Sequence, residues 1–440
     1  MIRRPSAGTS RTRTQTASVP PGRVEQVELV LKKVLTWKLP ADQALSAFFK
    51  EYKQFGARDR SEIAQALFNV LRHLRRYRRE AQSGQGSLEG LLAVRGLAAT
   101  LEEGRSLAVL SPEQTQWVAH CDRIDPQTLP FAVRYSLPDW LAQALQTLAE
   151  PSTLAEAMLC TAALDLRVNL QKSNRDEVLA KLQAMFEGSA FSAEPTPYAP
   201  TGIRLTGHPP LNRWEMYEKG FVEVQDEGSQ LLAELLAPKR GEMVIDFCAG
   251  AGGKTLALGA MMRSTGRLYA FDISAPRLAK AKPRVARSGL SNVHPVVIRS
   301  EQDDRVSRLA GKAHRVLIDA PCTGVGTLRR NPDLKWRLAP EELSRLLEQQ
   351  ASILHSASRC VRHGGRLVYA TCSFLPQENE GQVNQFLESH PDFELVNANS
   401  CLPVGIPNGV GEDGMMRLRP DWHQTDGFFA AVMQKKASGA

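Results

Sequence analysis

Two cysteines stand where a thiol can do chemistry. Cys322 lies in Asp319-Ala320-Pro321-Cys322-Thr323-Gly324 and Cys372 in Thr371-Cys372-Ser373, each just past an apolar run with strand character. A thiolate that adds to an electron-poor carbon divides one hard step into easier ones. Carbon 6 of a cytosine is such a carbon: with sulfur attached, the ring becomes enamine-like and carbon 5 can attack a methyl sulfonium. That reaction also needs a group to hold ring N3 and a base for the carbon 5 proton. A free thiol has a pKa near ~8.5, so neighbouring donors or positive charge must favour the thiolate. Isolated cysteines are more often small buried hydrophobes, and Cys121, Cys160, Cys360 and Cys401 are assigned that role.

Upstream, Met243 to Thr255 reads as a strand, a glycine-rich turn (Cys248, Ala249, Gly250, Ala251, Gly252, Gly253) and a helix opening at Lys254. Glycines there let backbone approach a ligand without an intervening side chain, and the helix start points free N–H groups at it. Cys248 is assigned a structural part in this turn, and Lys254 either serves the cofactor or begins the helix. Asp272 ends the next strand, where an acid can accept bonds from both hydroxyls of a ribose. Asp303 or Asp304, past the third strand, either bonds an adenine amino group or caps a helix. The turn alone fits a nicotinamide dinucleotide as well as a methyl donor. The downstream thiols suit methyl transfer and offer no hydride chemistry.

Elements must bring these residues together. Apolar runs at Met243–Phe247, Arg267–Asp272, Val293–Ile298, Arg315–Asp319 and Arg366–Thr371 alternate with helical segments at Lys254–Met262, Pro276–Ser288, 302–309 and Glu341–Arg362. Phe393–Val396 and Gly427–Met433 supply the last strands. The alternation predicts an α/β, doubly wound, mostly parallel sheet over 236–435. Strand ends in such a sheet face one ligand crevice, so both thiols converge beside the glycine turn. Ahead of it, 151–235 reads as a small α+β module, with strands at Leu166–Leu170 and Phe221–Val224, a helix at Asn174–Phe186, and loop with short extended pieces over Ser189–Pro210. Residues 23–150 read as all-α: Val24, Val27, Leu31 and Val34 keep helical spacing, and a helix capped by Ser61 carries Ile63, Leu67, Val70, Leu71 and Leu74 on one stripe. Gly84, Gly86, Gly90, Gly96 and Gly104 loosen the pattern that follows. Residues 1–22, with four Arg, no acid and many Ser, Thr, Pro and Gly, are expected to be disordered.

At 440 residues, 42% hydrophobic and 23% charged, the chain has the composition of a soluble multi-domain protein. No run of about 18 apolar residues suggests a membrane span, and seven scattered cysteines suggest reduced thiols of the cytoplasm, not a disulfide framework. No zinc-ligand spacing is found, so no metal is expected, and a monomer is expected. The net charge of +8 is localised: residues 1–80 hold 17 Lys or Arg against 7 Asp or Glu, leaving −2 for the rest. That asymmetry points to a polyanion. Arg72, Arg75, Arg76, Arg78 and Arg79 in the last turns of the second helix are RNA-contact candidates, against the alternative that they complement its dipole, a job that needs fewer than five. Arg329, Arg330, Lys335, Trp336 and Arg337, just beyond Cys322, are candidates to grip phosphate and stack on an everted base.

The Asp-Ala-Pro-Cys-Thr-Gly and Thr-Cys-Ser segments, with Asp-Phe-Cys-Ala-Gly-Ala-Gly-Gly-Lys-Thr upstream, resemble the RNA cytosine-C5 methyltransferases of the Sun/Nop type. The chain looks most like their bacterial RsmB-like group, which modifies 16S ribosomal RNA. The similarity runs through 240–433, down to Asp-Gly-Phe-Phe-Ala-Ala at 426–431, and more weakly over 40–76, which is similar to the NusB-like helical domain of that group. It implies a Rossmann-like methyltransferase domain, S-adenosylmethionine as cofactor and small-subunit ribosomal RNA as partner. It further implies Cys372 as nucleophile, Cys322 as the base that aids product release, and Asp319 on the cytosine edge. DNA cytosine methyltransferases use the cysteine of the Pro-Cys motif instead, which makes Cys322 the alternative nucleophile. Two departures stand out: Gly250-Ala251 replaces the usual Ala-Pro, and the third-strand acid is normally nearer the strand end than Asp303. A catalytically silent RNA-binding scaffold is the competing functional class, and retention of both thiols, Asp319 and the turn argues against it.

Overall fold

The computed structural model describes residues 22–207 and 209–437, so the leader expected at 1–22 lies, but for Gly22, outside the described residues. The chain divides into two compact units, the second beginning at Asp139.

The described part of the first unit is helical, with no strand. Val27, Val30 and Leu31 of helix Arg23–Val34 and Ile63, Leu67, Leu71 and Leu74 of helix Ala57–Glu80 are fully buried. The stripe therefore packs inward as its spacing demands. Two details differ from expectation. The long helix starts at Ala57, not after Ser61, because Asp59 at its third position bonds back to the Gly56 N–H. Helix Leu88–Ala98 runs through Gly90 and Gly96. A Cβ at Gly96 would meet the Ala66 carbonyl oxygen at 2.7 Å, so this glycine permits close helix–helix contact and does not break the helix.

The second unit contains two sheets. The smaller is antiparallel, in the order β2-β3-β1-β4, from β1 Leu164–Val168, β2 Ser192–Pro195, β3 Gly202–Thr206 and β4 Val222–Val224. Helix Arg175–Phe186 is capped by the Asn174 side chain and packs Val178, Leu182 and Phe186 on that sheet. The larger sheet comprises β5 Met243–Asp246, β6 Arg267–Asp272, β7 Val293–Val297, β8 Ala313–Asp319, β9 Val361–Thr371, β10 Phe393–Val396, β11 Met416–Leu418 and β12 Phe428–Lys435. Its order is β10-β12-β9-β8-β5-β6-β7, with β11 on β12. Strands β5 to β9 pair in parallel, and β12 pairs antiparallel to β9 and β10. Ile245, Val316, Ile318 and Leu367 enter one core, while Val244, Leu317 and Val368 enter the other. Both faces are covered, as the alternation of a doubly wound sheet requires.

From β5 the chain builds outward through β6 and β7, then crosses to β8 and β9 on the other side. The order reverses between β5 and β8, which is where such sheets open a crevice. The helix expected over Glu341–Arg362 ends at Ser358, because β9 already starts at Val361. Among the described residues, no helix is long and apolar enough to cross a membrane.

Candidate functional site

The crevice is a cleft of about 790 Å³ at the carboxyl ends of these strands, a size suited to a small-molecule ligand. Cys248, Ala249, Gly250, Ala251, Gly253 and Lys254 line it after β5, Asp272 after β6, Asp319 and Cys322 after β8, and Cys372 after β9. The sequence-predicted chemistry is therefore gathered in one place.

Gly250 and Gly252 have φ of 54° and 82°, the left-handed region that glycine enters without strain. A Cβ at Gly250 would meet nothing within 4 Å, so the turn presents bare backbone to open space. Asp272 is buried: its Oδ2 accepts from the Gly250 N–H at 2.8 Å and its Oδ1 from Ser274 N–H at 2.7 Å. A carboxylate has about four acceptor positions, so capacity remains for a ligand hydroxyl. Beneath the turn, Asp246 is fully buried and accepts from Thr255 Oγ1 at 2.6 Å. Burial pushes its carboxyl up to about 6 despite that bond. Burial also pushes the Cys248 thiol well up.

Two guanidiniums from outside the turn hold its carbonyls. Arg284 Nη1 donates to Ala251 O at 2.7 Å, and Arg167 Nη1 of β1 donates to Gly253 O at 3.0 Å. Glu223 of β4, buried, accepts from both Arg284 and Arg287. Burial brings Arg167 down to about 10 against the pull of Glu223.

At the chemical end, the sulfurs of Cys322 and Cys372 are 3.5 Å apart. The hydrogen bond to Cys372, and burial after it, push the Cys322 thiol well up. Lys254 Nζ reaches Asp319 Oδ2 at 2.6 Å. Burial opposes the ammonium, yet the Asp319 charge and hydrogen bond outweigh it and hold Lys254 above the ordinary lysine value. Lys254 thus faces the carboxylate beside the thiols, a role its place at a helix start did not disclose.

Other expectations need correction. Asp303 caps the short helix Asp304–Ser307, accepting from the backbone of Arg299 and Arg305, and neither it nor the exposed Asp304 lines the cleft. The cleft acid past the third strand is Glu301, two residues nearer the strand end, joined by the exposed Ile273. Arg329 and Lys335 are buried. Arg329 donates to Asp426, an internal acid that takes it away from any outer phosphate, while Arg337, part-exposed, pairs with Asp333. Trp336 is half-buried beside the Lys335 ammonium, 5.1 Å from its ring. Arg330 alone of this group lines the cleft, bridging Asp226 and Asp426 at 2.9 and 2.6 Å. Asp226 is pushed up to about 7 by burial and by Asp426, against the Arg330 charge. In the helical unit Arg75 donates to Leu137 O and Arg76 pairs with Glu80, while Arg72 is half-buried. Of the five, Arg78 and Arg79 are the exposed ones. Among the described residues no group of three or more His, Cys, Asp or Glu is placed to hold a metal.

A family model described as 16S rRNA methyltransferase RsmB/F matches residues 233–434, and one for a ferredoxin-like domain of RsmF/B-like methyltransferases matches 137–212. A probable ribosomal RNA small subunit methyltransferase B of Synechocystis is 34% identical over 71% of this chain and 70% of its own. Its counterpart from Bacillus subtilis is 32% identical over 74% and 73%. A solved methyltransferase homologue from Pyrococcus horikoshii is 29% identical, with a TM-score of 0.60 over 71% of this chain and 100% of its own.

Proposed function

The chain belongs to the RsmB/F family of 16S ribosomal RNA methyltransferases, and from that premise we propose that it methylates carbon 5 of a cytosine in small-subunit ribosomal RNA through a covalent cysteine adduct. S-adenosylmethionine supplies the electrophilic methyl group. The turn from Cys248 to Lys254 and Asp272 would hold that donor, the open backbone at Gly250 being the feature that fits a ligand pressed against main chain. The target base must leave its stack to enter the cleft.

Cys372 attacks carbon 6, and Asp319, steadied by Lys254, holds the N3 edge and amino group of the ring. Carbon 5 then takes the methyl. Cys322 removes the carbon 5 proton; the electrons of that C–H bond form the ring double bond, and the C–S electrons return to Cys372. The observation that carries the reading is the 3.5 Å between the sulfurs, which lets both act on one base; the division of roles between them rests on the resemblance of the Thr-Cys-Ser segment. While Cys372 is free, its hydrogen bond helps keep Cys322 protonated. Once the Cys372 sulfur is bonded to carbon that hold is lost, and Cys322 gives up its proton more readily, supplying the thiolate that can take the carbon 5 proton.

The test is transfer of tritiated methyl from S-adenosylmethionine to small-subunit RNA, with the product base identified after digestion. Cys372→Ala should abolish transfer, and Cys322→Ala should accumulate a protein–RNA adduct on denaturing gels. An adduct that forms with Cys372 absent and needs Cys322 would reverse the roles. No label in RNA under any condition would leave a binding scaffold.

A further inference from the structure

Behind the two thiols lies a carboxylate that the reaction above does not use. Glu378 is fully buried and has no cation partner among the described ion pairs. Its Oε1 accepts from the Thr323 backbone N–H at 2.8 Å and from Gln350 Nε2 at 3.0 Å, and its Oε2 accepts from the hydroxyls of Thr323 and Ser373. Thr323 directly follows Cys322, and Ser373 directly follows Cys372. One carboxylate therefore fastens both cysteine loops, fifty residues apart in sequence. Gln350 extends the hold by donating also to Pro321 O at 2.9 Å, and the two hydroxyls lie 3.1 Å from each other.

We propose that Glu378 is a positioning residue for the thiol pair, setting the contact between Cys322 and Cys372 and making the two sulfurs inequivalent. Burying an acid without a cation is unfavourable unless donors surround it, and here the donors come from the residues next to the reacting sulfurs. An apolar core residue would pack the same space without fixing either loop. Both carboxylate oxygens of Glu378 are fully engaged by four donors, which fixes the geometry of the two loops even though Gln350 Oε1 has no partner. The Glu378 charge also acts on one thiol: it follows Cys372 and burial among the influences that push Cys322 up. Buried Tyr369, whose hydroxyl donates to the Glu378 carbonyl oxygen at 2.7 Å, is the other titratable group facing Cys322 on this side.

The inference deepens the proposed reaction, but its test needs neither RNA nor methyl donor. The free protein is alkylated with iodoacetamide from pH 6 to 9, and labelling at each cysteine is followed by mass spectrometry. Native protein should label Cys372 ahead of Cys322. Glu378→Gln keeps the size and removes the charge; the ratio of the two rates should fall about tenfold and the Cys322 profile should move to lower pH, as expected for loss of one buried charge-assisted bond. Thr323→Val and Ser373→Ala, which each remove one hydroxyl and keep the carboxylate, should narrow the ratio by less. They decide the matter if Glu378→Gln does not fold. Unchanged ratios in the folded variants would overturn the proposal, even if methylation were confirmed. Altered ratios without any methyl transfer would uphold it and reject the reaction.

Discussion

Replacing Arg284 by Met removes a guanidinium that bonds to two partners. Its Nη1 holds Ala251 O at 2.7 Å, and its Nε and Nη2 hold Glu223 at 3.2 and 3.0 Å. Glu223 keeps Arg287 at 2.6 Å in the variant, so the buried carboxylate is not abandoned. The loss falls on the turn. A hydrogen bond from a charged donor contributes about 1.5–3 kcal/mol, and because the Arg284 side chain is 23% exposed the lower end, about 1.5 kcal/mol, is the suitable figure. Ala251 stands between Gly250 and Gly252, both in left-handed backbone, so the turn has much freedom to lose. If Arg284 orders it before the ligand arrives, that free energy reappears in binding, and the Kd for S-adenosylhomocysteine by titration calorimetry should rise about tenfold. Arg287→Met removes the same support from Glu223 without touching the turn, and should stay within about twofold. Equal weakening in both variants, or a lower Tm for Arg284→Met with unchanged Kd, would refute the reasoning and leave the arginine a purely structural part.

Asp303→Ala should cost about 1 kcal/mol by losing a helix cap while leaving cofactor affinity within about twofold, whereas Glu301→Ala should weaken binding about tenfold. The opposite pattern in the same titrations would restore Asp303 to the site. Asp246 gives a pH dependence of definite sign. Its folded value, about 6, lies above the ordinary 3.8. The folded protein therefore binds the proton more tightly, and stability falls as pH rises from about 4 to about 6. The whole change is at most about 3 kcal/mol. Asp246→Asn deletes this dependence, so urea unfolding at pH 4 and pH 7 should show the variant gaining on the parent by up to that amount. A difference that stays flat with pH would count against a raised Asp246.

The part of the cleft that holds the two thiols was legible because its residues sit at the ends of apolar runs. The predicted strands Arg315–Asp319 and Arg366–Thr371 end where β8 and β9 end, and a doubly wound sheet brings such ends together whatever the loops contain. What was not legible is how those loops are held. Glu223 with Arg284, Glu378 with Thr323, and Asp226 with Arg330 are pairs separated by 61, 55 and 104 residues. No local period encodes a partner at that distance. The same blindness made Arg329 and Lys335 look like an RNA grip, since a run of cations reads alike whether it faces water or a buried acid such as Asp426. Helix Ala41–Glu51 was missed although Ala44, Leu45 and Phe48 share its buried face. In the glycine-rich stretch beyond, propensity was overridden by the packing of Gly96 on Ala66.

These long-range ties also change what the small antiparallel sheet is for. Asp165 of β1, together with Val224, Gln225 and Asp226 at the end of β4, lines the same cleft as the cysteines. Buried Arg204 of β3 joins Asp165 to Glu227, the first residue of the helix Glu227–Leu236 that leads into β5. Leu231, Leu232, Leu235 and Leu236 of that helix share a core with Val244, Leu317 and Val368 of the large sheet. A module joined through buried charge on one side and a common core on the other cannot swing as an appendage. Glu223 then sits one residue from the cleft wall and two bonds from the Ala251 carbonyl, through Arg284. The Kd measured for Arg284→Met therefore reads how much this chain of side chains from β4 contributes to ordering the glycine turn.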